Sequence, residues 1–86
     1  MKKQRTIFDC FTSERRVRLI ACLSRPKHVS ELLQLCDLSQ PALSQHLKVL
    51  KEAGVLSCTR KGTKQIYSVR NPKALSVART LLTITT

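Results

Sequence analysis

The stretch from Ser39 to Lys48, SQPALSQHLK, gathers side chains suited to reading a polar surface. A glutamine amide carries a donor and an acceptor side by side and can grip the edge of an adenine. A serine hydroxyl serves either a base or a phosphate. If Leu43, Leu47 and Leu50 face a core, the 3.6-residue period puts Pro41, Gln45 and Lys48 on roughly the opposite side, with Ser44 on the flank. Gln40, Ser44 and Gln45 are therefore candidates for base or near-base contacts and Lys48 for a phosphate, with Ser39 at the helix start counted among the DNA-binding residues. The plain alternative is a solvated helix face. His46 falls nearer the core side and reads first as a partly buried structural histidine, second as a backbone or phosphate contact.

The second set of chemically able residues is the thiols. Cys10, Cys22, Cys36 and Cys58 include no Cys-x-x-Cys pair, and no export signal accompanies them, so reduced thiols are expected and not a disulfide framework. Cys10 and Cys22 fall at core-like helical positions, where cysteine acts as a small hydrophobe. Cys58 is the candidate reactive thiol. The two histidines and five carboxylates are scattered, with no triad order, no Gly-rich phosphate loop and no metallohydrolase motif. Neither an enzyme, nor a resident metal, nor a cofactor is expected.

Composition narrows the partner. Sixteen Lys and Arg against five Asp and Glu give a net charge of +11, far more than solubility requires, so a polyanion is implied. No apolar run approaches the roughly 18 residues of a membrane span. The N-terminus lacks the apolar stretch of a signal peptide, so a cytoplasmic protein with no membrane partner is expected. Aromatic residues number three, Phe8, Phe11 and Tyr67, too few for the stacking platforms of single-strand binders. Double-stranded DNA is favoured. Lys2, Lys3 and Arg5 read either as extra nonspecific attraction or as a disordered tail.

The elements that must position these groups can be drawn from pattern. A chain of 86 residues holds one modest core, so a single domain over 1–86 is expected. Residues 6–24 read as two N-terminal helices, the second starting at Ser13-Glu14 and stopped by Arg25-Pro26-Lys27. Residues 29–53 read as two helices joined by a short link, with Ser39 as cap, Pro41 in the first turn and Gly54 just past the end. That is a helix-turn-helix. Residues 55–70 read as a two-stranded wing turning at Lys61-Gly62-Thr63. Arg60, Lys61 and Lys64 cluster there and are assigned to phosphates or the minor groove. Residues 72–84 read as a last helix with a Leu75, Ala78 and Leu82 stripe. Such a stripe has too little of its own domain left to cover, so it is assigned, with Phe8, to a homodimer interface. The expected fold is mostly α with a β-hairpin: about five helices and a two-stranded wing, homodimeric.

The segment from Leu38 to Leu56 resembles the recognition-helix region of ArsR/SmtB repressors. Ile7-Phe8 through Ile20 is similar to that family's first two helices, and Arg60-Lys61-Gly62 through Val69 to its wing. The resemblance implies a dimeric winged-helix repressor with one recognition helix per subunit in successive major grooves. It also implies an inducer site, and the familiar ones do not carry over. The Cys-Val-Cys or Cys-Val-Gly thiol motif is replaced by His28-Val29-Ser30, leaving His28 as its one ligand. The last-helix metal site needs Asp, His or Glu, and none lies between Asn71 and Thr86. Sulfur-reactive members pair a cysteine of the second helix with one of the last; Cys22 could supply the first, and the second is absent.

The leading expectation is thus a sequence-specific repressor binding an inverted repeat as a homodimer, its inducer unknown. The alternatives are a nonspecific or architectural DNA-binding protein, a metal- or redox-responsive repressor with a nonstandard site drawn from the cysteines, His28 and His46, and a winged helix used for protein contacts.

Overall fold

The computed structural model describes residues 5–85. Lys2 and Lys3 lie outside them. Five helices and three strands follow in the order α1 (Ile7–Phe11), α2 (Glu14–Cys22), β1 (Lys27–His28), α3 (Val29–Leu35), α4 (Gln40–Glu52), β2 (Leu56–Lys61), β3 (Lys64–Val69) and α5 (Pro72–Thr85).

Local chemistry sets the helix ends. The Thr6 amide donates to the Asp9 carboxylate at 2.8 Å, and the Ser13 hydroxyl accepts from the Arg16 amide at 3.4 Å to start α2. At the next helix the His28 amide donates to Glu31 at 3.1 Å. Ser39 accepts from the Ala42 amide at 3.3 Å, and Pro41 occupies the first turn, where its missing N–H removes no helical bond. Beyond α4, Gly54 takes φ +82°. The Val55 amide then reaches back to the Leu50 carbonyl and the Gly54 amide to Lys51, both at 3.0 Å, satisfying carbonyls that the helix leaves open.

The winged helix-turn-helix is the expected fold, with one addition. The sheet has three antiparallel strands in the order β1-β3-β2, where the sequence suggested two. Lys27 pairs with Tyr67 and His28 with Ile66, so two residues after Pro26 become an edge strand on the wing. A strand this short shows no alternation, and its pairing is supplied wholly by β3. The hairpin closes tightly, with Lys61 opposite Lys64 and Gly62 at φ +61° in the two-residue turn. Positive φ at the first turn residue matches the right-handed twist of the flanking strands.

One core unites the helices: Leu19, Ile20, Leu23, Leu32, Leu43 and Leu50 are buried, with Val55 and Leu56 entering from the wing. The last helix corrects an expectation. Ala78, assigned from its spacing to a dimer interface, is 0% exposed within its own chain, and Ala74 is buried beside it. α5 packs along α2, and these two small side chains let the helices approach closely. Leu75 and Leu82 are half-buried against the same core. The apolar surface left free on α5 is Val77 and Ile84.

Candidate nucleic-acid interface

α4 is anchored by Leu43, Leu47 and Leu50 in the core, and its outer side is polar. Ser39, Gln40, Ser44, Gln45 and Lys48 are all exposed. Their side chains stand on a helix held on one face by buried leucines and at its start by Ser39, so they are presented on a rigid support. Gln40 also lines an open groove of 320 Å³ with His28, Ser30, Arg60 and Lys64, where the start of the helix meets the wing. The structure thus brings Gln40 together with two of the three wing cations, while Ser44, Gln45 and Lys48 lie further along α4.

Arg60, Lys61 and Lys64 are exposed at the hairpin tip, and none is ion-paired to a carboxylate among the described residues. The Arg60 Nε donates to the Gly62 carbonyl at 3.3 Å, which orients its guanidinium around the turn. Unpaired cations on a stiff hairpin are suited to phosphates, where they add affinity without reading sequence. Replacing any one of them with Gln should weaken binding to every DNA sequence by a similar factor and reduce the slope of log affinity against log salt by about 1. Salt titrations on two unrelated duplexes would check this, and an effect confined to one sequence would mean that the wing reads bases.

A network not legible from residue spacing holds α4 in place from behind. The Arg16 Nε donates to the Asp9 carbonyl at 2.9 Å, its Nη2 lies 3.5 Å from the Thr12 hydroxyl, and its Nη1 lies 3.4 Å from the His46 Nδ1. A guanidinium has no acceptor to offer, so His46 must receive this bond on an unprotonated Nδ1. Burial, with Arg16 and Arg15 nearby, lowers the His46 pKa below its ordinary value.

The unfolded chain binds a proton at His46 more readily than the fold does, so this group's contribution to stability is complete above the ordinary histidine pKa of about 6.5 and is lost as pH falls through the lowered folded value. Urea midpoints should therefore fall between pH 7 and pH 5, and His46→Gln should flatten that part of the profile. An unchanged slope in the variant would assign the pH dependence to other groups.

The thiols are placed apart from this surface. Cys10 is fully buried, with its pKa raised by that burial. Cys58 sits half-buried on β2 opposite Tyr67, whose hydroxyl pKa is raised by burial and by the Cys58 sulfur. Cys22, placed in the core by its spacing, is partly exposed and lies against Cys36. Among the described residues no three His, Cys, Asp or Glu side chains are grouped to hold a metal ion.

A family model described as bacterial regulatory protein, arsR family, matches residues 13–57, which run from the cap of α2 into β2. The arsenic resistance transcriptional regulator ArsR1 of Pseudomonas putida is 40% identical over 63 residues, covering 71% of this chain and 49% of that protein. An uncharacterised helix-turn-helix transcriptional regulator of Mycobacterium tuberculosis is 36% identical over 86 residues, covering 94% of this chain and 75% of its own length. The crystal structure of the transcriptional repressor BigR from Xylella fastidiosa superimposes with a TM-score of 0.83 at 30% identity, over 93% of this chain and 83% of that one. The aligned part of this chain spans about half the length of the Pseudomonas protein and of other curated relatives. On the matched segment, the relatives and the shared winged helix, the chain belongs to the ArsR family of bacterial regulatory proteins.

Proposed function

We propose that this protein is a sequence-specific transcriptional repressor that binds duplex DNA as a homodimer. The observation that carries the reading is one exposed polar helix face, Gln40, Ser44, Gln45 and Lys48, meeting a basic wing on a chain of net charge +11. Ser44 and Gln45 take base edges in the major groove, Ser39 and Gln40 sit at the groove entrance, and Lys48, Arg60, Lys61 and Lys64 take phosphates.

The dimer is supported by apolar surface that one copy leaves open. Phe8 is 78% exposed on α1, and Ile7 beside it is exposed as well. α1, α2 and α5 also border a mostly apolar hollow, lined by Phe11, Val17, Leu81 and Leu82 with Thr12 and Glu14. An exposed aromatic next to an open apolar hollow is the pattern expected of a self-complementary surface. Phe8, Leu75 and Leu82 remain in the proposed interface, joined by Val77 and Ile84; Ala78 supports it only from behind. No helix among the described residues is long and apolar enough to cross a membrane. The proposal places the protein in the cytoplasm and gives it neither catalytic role nor cofactor.

DNase footprinting on the region upstream of its own gene tests the proposal. Two protected half-sites related by symmetry, with centres about 10 base pairs apart or a multiple of that, are expected. A single protected half-site, with a monomer in sedimentation at micromolar concentration, would contradict the dimer.

A further inference from the structure

Cys22 and Cys36 are distant in sequence and adjacent in space. Cys22 ends α2, and Cys36 caps α3, its amide bonded to the Leu32 carbonyl at 2.9 Å. Both cysteines line one open pocket of 480 Å³, whose rim carries Arg15, Arg18 and Asp37. The remaining thiols lie elsewhere, Cys10 sealed in the core and Cys58 on the wing.

We infer that Cys22 and Cys36 form a dithiol site that closes to an intramolecular disulfide when a peroxide enters this pocket, and that closure weakens DNA binding. The regulatory half rests on the function proposed above. Three features make the site suitable. The two thiols are neighbours: burial, and then the nearby Cys22 sulfur, push the Cys36 thiol up to about 11, so Cys36 stays a thiol until it meets an oxidised partner. The pocket is open to a small oxidant, as a buried thiol such as Cys10 is not. Arginine at the rim places positive charge beside the hydroxide that leaves; Arg18 is paired with Glu14 at 3.1 Å, so Arg15 is the less committed cation.

The Cys22 sulfur, having lost its proton, attacks one peroxide oxygen. The O–O bond breaks, the departing hydroxide takes up that proton and leaves as water, and Cys22 becomes a sulfenic acid. The Cys36 sulfur then attacks the Cys22 sulfur, an S–S bond forms, the S–O bond breaks, and the hydroxide leaves as water with the Cys36 proton. Two thiols are oxidised to one disulfide and one peroxide is reduced to two waters.

The consequence lies in where the bond falls. It ties the end of α2 to the turn between the two helices of the helix-turn-helix, just ahead of the Ser39 cap of α4. Bringing the sulfurs to a bond length of about 2.0 Å shifts that turn and, with it, the start of the recognition helix.

The test treats the reduced full-length protein with hydrogen peroxide, blocks remaining thiols, and maps the products by intact and peptide mass spectrometry alongside DNA binding by anisotropy. The expected result is a loss of two hydrogens mapped to a Cys22–Cys36 cross-link, reversed by dithiothreitol, with affinity for the preferred DNA lowered by about tenfold. Cys22→Ser and Cys36→Ser should each abolish both effects, and Cys58→Ser neither. Four free thiols after treatment, or oxidation confined to Cys58, would overturn the site. A cross-linked protein that binds DNA like the reduced one would overturn its regulatory role. If the reduced protein prefers no DNA, the function fails, and the mass map still decides the disulfide.

Discussion

Replacing Ser44 and Gln45 together with Ala should lower affinity for the preferred DNA by about 10- to 100-fold, the range for losing one good base contact, while affinity for a shuffled duplex changes little. Both side chains are exposed, so the fold does not depend on them. Alanine is also the better helix former, which keeps α4 intact. On the proposed reading, what disappears is the set of groups that tell one base pair from another, while Lys48 and the wing cations remain to hold phosphates. Lys48→Gln supplies the contrast, lowering both affinities together. Anisotropy titrations on the two duplexes, with far-ultraviolet circular dichroism to confirm the helix content, would check the pair. Equal losses on both duplexes would move Ser44 and Gln45 from base contacts to backbone contacts.

The second large effect concerns the support of that helix. Leu50 is fully buried among Leu19, Ile20 and Leu43, at the meeting point of α2, α4 and the wing. Leu50→Ala removes its buried methyl groups and leaves a cavity, at a cost of about 2–5 kcal/mol. Domains of this size are held by little more than that, about 5–15 kcal/mol in general, so the urea midpoint should fall by at least about 1 M. Leu35→Ala is the control: the side chain is 59% exposed, and a change within about 0.5 kcal/mol is expected. Similar losses from both substitutions would mean that Leu35 is covered in solution, by a partner copy or otherwise.

How much of this was legible before the structure depended on whether a feature was local. Ser39, Pro41, the leucine period and Gly54 together define α4, because each acts within a few residues of the helix end it controls. The wing turn was legible for the same reason: Gly62 supplies the positive φ that a two-residue hairpin needs. The spacing of Leu75, Ala78 and Leu82 marks α5 as a helix with an apolar stripe, and it does not show what covers each residue. A period identifies a face and says nothing of what covers it: Ala78 is buried within its own chain, on a helix that packs along α2. β1 exists only because β3 is there to pair with it.

The candidate site divides along the same line. The outward direction of Ser44, Gln45 and Lys48 follows from helix geometry once Leu43 and Leu47 are inward. The Arg16 to His46 contact joins residues 30 apart, and no spacing rule reaches across that distance. The same holds for Cys22 and Cys36, which sequence spacing separated and which the path through β1 and α3 brings to one pocket.

The central claim is that α4 and the wing read a particular DNA sequence. Fluorescence anisotropy of the reduced protein, on the DNA upstream of its own gene and on a shuffled control, from low to physiological salt, tests it most directly. A preference of about a thousandfold that survives physiological salt is predicted. Equal affinities that collapse together as salt rises would contradict it, leaving only nonspecific attraction between a chain of charge +11 and the phosphate backbone.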